Sequence, residues 1–245
     1  MGELIVALLP LALGILLSPL AYMALVAVLL SRIPRANGIA FLAGWAIGLV
    51  GVLALSIWIF GLLGAQPPGE PARWVSIVHL VFGLFFLGAA VWVHRRGAER
   101  LRAMSEANTP REVVRAAAPR VSASPRLPGW LQAVDSFKPG RSGALGVAIF
   151  ALNPVDASCA IVAGLDFVIA ELPDAETVAI ATGFAVIGIL PIAVPVVYVL
   201  VRGAKAQPFL DATRTWIASH TGLLNAAFLL VIAVLQLQKG IAGLL

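Results

Sequence analysis

The chain has 245 residues, of which 60% are hydrophobic and 12% charged, with a formal net charge of +5 and a mean hydropathy of +0.98. No soluble domain of this size needs so much apolar surface, so the composition describes an integral membrane protein. A single cysteine, Cys159, excludes an intramolecular disulfide or a two-cysteine redox relay and is expected to serve as a small buried hydrophobe.

The first apolar stretch, Leu4 to Leu30, is roughly twice as long as a signal-peptide core, and Met1-Gly2-Glu3 ahead of it carries no positive side chain. It therefore reads as a membrane span, the first of six. Ser18-Pro19 interrupts it near mid-depth. Proline has no amide hydrogen, so the carbonyl of Ile15 is expected to lose its helical partner. Hydrocarbon tolerates such a group only where protein, a side chain or a water-filled cavity satisfies it.

The second span runs from Gly38 to Leu63 and holds Gly44 and Gly48 four residues apart, a pattern for close helix packing within the chain or between the protomers of a homodimer. The third runs from Trp74 to Val93. His79 lies about one turn into it, a titratable group at the interface with either a structural or a functional role. The polar connection from His94 to Ser142 follows. Its prolines at 110, 119, 125, 128 and 139 and its scattered arginines leave no room for a folded domain. Within it, Trp130, Leu131, Val134 and Phe137 recur at helical spacing, as in a short headgroup-layer helix that anchors the entry to span four.

Span four, Ala144 to Ala170, repeats the interruption of span one at Asn153-Pro154, where the carbonyl of Phe150 is expected to be freed. Asp156 follows. A charged, unpaired carboxylate at that depth costs several kcal/mol, so Asp156 is expected to be neutral, paired or hydrated, with proton coupling or substrate contact as its functional reading. Asn153 and Asp156 share a helix face that Ala160, Ala163 and Gly164 continue, either to line a cavity or to receive a partner helix. Asp166 lies roughly 15 Å further on and, with Glu171, Asp174 and Glu176, is expected to form an acidic outer mouth or simply an interfacial rim. Span five, Val178 to Val201, contains Pro191 and Pro195, which are expected to kink it either as a hinge or as a packing feature. Span six runs from Trp216 to Leu237.

Lysine and arginine orient these spans. The connections after spans one, three and five hold two, ten and three of them, against one and none after spans two and four. The positive-inside rule then places the odd connections in the cytoplasm and both termini outside, and it accounts for the basic charge without nucleic acid. Three spans on either side of the polar connection give units at 1–94 and 143–245, with the basic loop at 95–142 between them. Because three is odd, any homology between the units is inverted, and prolines at matching depth point to a substrate site between them. That site comprises Ser18, Pro19, Tyr22, Asn153, Pro154 and Asp156, with His79, Asp166, Pro191 and Pro195 as secondary candidates. No metal site and no cofactor are expected. Zinc-protease, phosphate-loop and serine-elbow motifs do not occur in the sequence, which argues against an enzyme.

Ser18-Pro-Leu-Ala-Tyr22, Ser31-Arg-Ile-Pro-Arg35 and Gly44-Trp-Ala-Ile-Gly48 together resemble the opening of the GAP family, the glycolipid-addressing proteins of mycobacteria and their relatives, within the lysine-exporter superfamily. Phe137-Lys-Pro-Gly-Arg-Ser-Gly-Ala-Leu-Gly146 followed by Ala151-Leu-Asn-Pro154 resembles the start of that family's second half. The resemblance implies an all-α inner-membrane protein of six helices in two inverted three-helix repeats that moves envelope glycolipids toward the cell surface. One departure is Asn153-Pro-Val-Asp156, where family members often carry a basic residue straight after the Asn-Pro pair. Three functions follow as expectations. The first is a transporter or flippase-like protein for amphipathic lipids; the second is a small-solute or divalent-cation exporter; the third is an accessory that docks lipid-export or synthesis machinery through the basic loop.

Overall fold

The computed structural model describes residues 2–65, 73–97 and 138–244, and these form helices joined by short connections. The short helix expected at Trp130 to Phe137 lies outside the described residues. Helices α1 (Gly2–Leu16) and α2 (Pro19–Leu29) make up the first span. Helix α3 (Pro34–Leu62) and helix α4 (Arg73–Trp92) follow, the latter ending in a π-turn at Val93–Gly97. The second half repeats the opening with α5 (Pro139–Leu152) and α6 (Pro154–Ile169), then α7 (Asp174–Arg202), a 3₁₀ turn at Gly203–Ala206 and α8 (Gln207–Ala242). Four of these helices are long and apolar enough to cross a membrane, and counting each bent pair as one span gives up to six. The protein is thus a multi-pass membrane protein. The sixth helix is longer than its apolar run suggests, since α8 begins nine residues before Trp216 and continues past Leu237.

Prolines set the helix starts. Pro19, Pro34, Pro139 and Pro154 each stand in the first turn, where a missing amide hydrogen costs nothing and the fixed φ suits the helix. Steric pressure from the proline ring holds the preceding residue extended. Ser18 accordingly has φ −63° and ψ 101°, and Asn153 has φ −76° and ψ 110°. The chain bends by 40° between α1 and α2 and by 69° between α5 and α6. Pro191 and Pro195, by contrast, lie within an unbroken α7, and Leu190 and Val194 before them remain helical. The carbonyl of Ile15 is not orphaned as expected, because the Ser18 amide donates to it at 3.1 Å.

Burial separates two kinds of helix. Every residue of α2 from Ala21 to Leu29 is buried, and α6 is buried at Asp156, from Ser158 to Ala160 and from Val162 to Phe167. A helix that is apolar on all sides belongs in an interior, and these two second limbs form the centre. Helices α3, α4, α7 and α8 surround them and expose Trp58, Leu84, Val194 and Val234 to the lipid. Helix α3 packs along α5 and also on α6 and α7, and α8 packs along α4.

The α3–α5 contact is so close that backbone meets backbone. A Cβ on Gly44 would strike the Gly143 carbonyl, one on Gly146 would strike the Phe41 carbonyl, and one on Gly48 would sit 2.9 Å from the Cβ of Phe150. The Gly44 and Gly48 pair therefore serves packing within the chain. Trp45, fully buried between them, meets Phe150 edge-on at 4.9 Å and donates its indole N–H to the Gly188 carbonyl at 3.0 Å. Gly44→Ala should lower stability by about 1–3 kcal/mol, as overpacking does, while Gly51→Ala, which meets nothing within 4 Å, should be neutral or slightly stabilising. Thermal unfolding in detergent checks both, and equal midpoints for the two variants would refute the close seam.

Candidate functional site

The two breaks face each other in the interior. Pro19 and Pro154 open α2 and α6, so the residues ahead of them present side chains that a continuous helix would keep on its own surface. The Ser18 hydroxyl caps no amide of α2, and this leaves it available across the interface. It donates to Oδ2 of Asp156 at 2.7 Å, although 138 residues separate the two in the chain. Asn153 uses both ends of its amide. Its Oδ1 accepts the Val155 amide as an N-cap, and its Nδ2 donates to the same Asp156 Oδ2 at 2.6 Å and to the Ser18 hydroxyl oxygen at 3.4 Å.

Asp156 is wholly buried. Oδ2 receives both donors, whereas Oδ1 is buried without a hydrogen-bond partner among the described residues. Leaving such an acceptor unmet costs about 1–3 kcal/mol, more if the group is charged, so the site holds unspent capacity for a proton or for a ligand's donor. The expected cluster of Ser18, Asn153 and Asp156 is therefore assembled. Tyr22 is buried on α2 one turn from Ser18. Pro154 is exposed beside Leu152, which is 78% exposed, so its ring faces lipid and it serves to shape the backbone. Pro191 and Pro195 lie on α7, outside this cluster of hydrogen bonds. The Ala160, Ala163 and Gly164 face receives a partner helix, with Gly164 set against Ser56 and Ile57 of α3.

A second polar cluster replaces the expected acidic mouth. Asp166 is 6% exposed and is gripped by Lys239 of α8, whose Nζ lies 2.7 and 2.8 Å from its two carboxylate oxygens. Glu171 and Asp174 are exposed and stand apart from this pair. His79 is buried rather than interfacial: its Nδ1 lies 2.6 Å from Oε1 of Gln236 and its Nε2 lies 3.9 Å from Asp166. The cluster ties α4, α6 and α8 together near their ends. The sequence-based candidates omit Lys239 because span six was expected to end at Leu237, and Gln236 because it sits alone among the apolar residues of that span's last turn. Two polar residues three apart on the continuing helix were the available signal. Among the described residues, no three His, Cys, Asp or Glu side chains come together as a metal site.

Lys239→Met removes a counter-charge in hydrogen-bond contact with a buried carboxylate. It should cost about 3 kcal/mol, the low end for breaking a buried pair, because the lysine side chain is 34% exposed. Replacing both partners, Asp166→Asn with Lys239→Met, should recover part of that loss. Thermal unfolding of the three variants gives the comparison, and an additive double variant would show that the pair is not coupled.

No curated protein and no solved structure matches the chain. One family model does, that of Sap, the sulfolipid-1-addressing protein, over residues 8–242, which takes in both proline breaks, the Asp156 cluster and Asp166 with Lys239. The chain belongs to the family of Sap, the sulfolipid-1-addressing protein.

Proposed function

We propose that the protein is a non-enzymatic carrier of the inner membrane that moves an amphipathic envelope lipid, a glycolipid or sulfolipid, toward the outer surface, and that Asp156 couples this movement to protons. The observation that carries the reading is the buried carboxylate held by one polar residue from each half of the chain, at two helix breaks, with one oxygen still unmet. Broken helices that meet at mid-membrane are the recurring form of transporter sites, because an interrupted helix offers polar groups where an intact one hides them. Family membership supplies the lipid class.

Two inverted three-helix repeats, with both termini outside, complete the proposal. The near-equal φ and ψ of Ser18 and Asn153 support the relation between the repeats, since each stands at the same place in its own half. In this reading a proton on Asp156 and the hydrogen bonds from Ser18 and Asn153 alternate as the halves move, and movement changes which donor the carboxyl group meets. The basic loop, together with any export or synthesis machinery it contacts, lies on the cytoplasmic side.

Asp156→Asn keeps the size of the side chain and removes the titration, so it should lower delivery of lipid to the surface by tenfold or more, on the order of a lost coupling group. Ser18→Ala should give a smaller loss, roughly threefold to tenfold, matching about one hydrogen bond to a carboxylate. Surface-extractable and total envelope lipid are compared in a deletion strain complemented with each variant, with protein levels measured alongside. An unchanged surface pool in the deletion strain would overturn the lipid assignment. Full delivery by Asp156→Asn would overturn the coupling. Removing residues 97–126 should leave most delivery intact, whereas complete loss would mark the chain as an accessory of other machinery.

A further inference from the structure

A cavity of about 650 Å³ opens at one end of the molecule, away from Asp156, where α2 passes into α3 and α7 passes into α8. Its walls divide by chemistry. Leu29, Ile33, Val199 and Leu210 make an apolar wall, while Arg32 and Arg35 are exposed at its edge. Among the described residues that line it, none is acidic. Arg202 and Lys205, both exposed, stand at the end of α7 and in the turn beyond it, and add to the positive field.

The start of α3 has the same polarity, while the C-terminal end of α7 also reaches the cavity at Val199 and Gly203. Pro34, Arg35 and Ala36 line the cavity as the first turn of α3, a helix of 29 residues, and the N-cap residue Ile33 offers its amides no side-chain acceptor. This positive helix end therefore faces the cavity without a cap of its own. The negative end of α2 beside it is covered, because Leu30 donates its amide to the Val26 carbonyl and the Ser31 hydroxyl donates to the Val28 carbonyl at 2.6 Å. Gly203 closes the opposite side at φ +55°, a conformation glycine adopts without strain. A side chain there would come within 3.3 Å of the Arg35 guanidinium, so the glycine leaves room for the arginine to lie across the cavity.

We propose that this cavity is a binding site for an anionic membrane lipid, with the sulfate, phosphate or carboxylate of the headgroup held by Arg32, Arg35 and the first turn of α3 and the upper acyl chain laid against Leu29, Val199 and Leu210. A free oxyanion would use the arginines but would leave the apolar wall bare, whereas an amphiphile satisfies both. The cavity also lies at helix ends, at the depth of the headgroup layer, where lipid is at high local concentration. This site is distinct from the Asp156 cluster and binds lipid whether or not the chain transports it.

The test is equilibrium binding of the full chain in phosphatidylcholine nanodiscs. Spin-labelled phosphatidylglycerol is compared with spin-labelled phosphatidylcholine, and the motionally restricted fraction gives the relative association. The wild type should prefer the anionic lipid, and Arg32→Gln with Arg35→Gln should reduce that preference about thirtyfold, as expected for two basic side chains near a lipid surface. Lys138→Gln with Arg141→Gln removes two exposed charges from the start of α5, which packs along α3, and should leave most of the preference in place. Ala36→Trp fills the cavity from its exposed edge without changing charge and should reduce binding as the arginine pair does. Equal losses in the two charge-removal doubles, or no loss in Ala36→Trp, would show a diffuse surface field and overturn the proposal. Displacement of the lipid by millimolar inorganic sulfate at constant ionic strength would reassign the cavity to a free anion. Arg32→Lys with Arg35→Lys, which keeps the charge, should retain more binding than the glutamine pair, and its folding is checked by the same unfolding midpoint as the wild type.

Discussion

Two extended residues ahead of proline, Ser18 and Asn153, are the constraint on which the interior depends. Each takes its backbone angles from the proline that follows, and each thereby ends one helix and starts another inside the membrane. The second limbs, α2 and α6, are then free to run through the middle of the molecule, where a continuous span would have continued along the first limb. The packing of α6 on α1 at the Ser18 break brings a hydroxyl, an amide and a carboxyl group within hydrogen-bond distance across 138 residues of chain. Burying a carboxyl group is costly, and two donors on one oxygen offset only part of that cost. The other oxygen remains a place where chemistry can enter.

The outer helices make this centre possible by close approach. Gly44, Gly143 and Gly146 let α3 and α5 pack backbone to backbone, and Gly83 and Gly240 do the same for α4 and α8 against Leu237 and Leu80. Without water to drive helices together, contact area and interhelical hydrogen bonds supply the association, and small residues maximise both. The Trp45 bond to the Gly188 carbonyl belongs to the same logic. It ties α3 to α7 in the turn before Pro191.

Polar groups are distributed along the membrane normal in three places. At one end, Asp166, Lys239, His79 and Gln236 join α4, α6 and α8. At the other, the arginine-edged cavity opens between α2, α3, α7 and α8. Helix α2, eleven residues or about 16 Å long, separates that cavity from Ser18. The molecule is thus tied together at one end and open at the other, with a polar cluster between.

Length, apolar runs and proline positions determined the membrane class and both break points, because hydrocarbon thickness and the missing proline amide act locally and are blind to tertiary context. The pairing of Ser18 with Asp156 was foreshadowed only as a shared site, since local spacing says nothing of which faces meet. Asp166 with Lys239 and the buried setting of His79 were decided by the fold alone. Each depends on a partner more than 70 residues away in the chain. The cavity at the start of α3 has the same origin: Arg32 and Arg35 read as topology signals in the sequence, and they edge a binding surface only because Val199 and Leu210 arrive from the other half to supply its apolar wall.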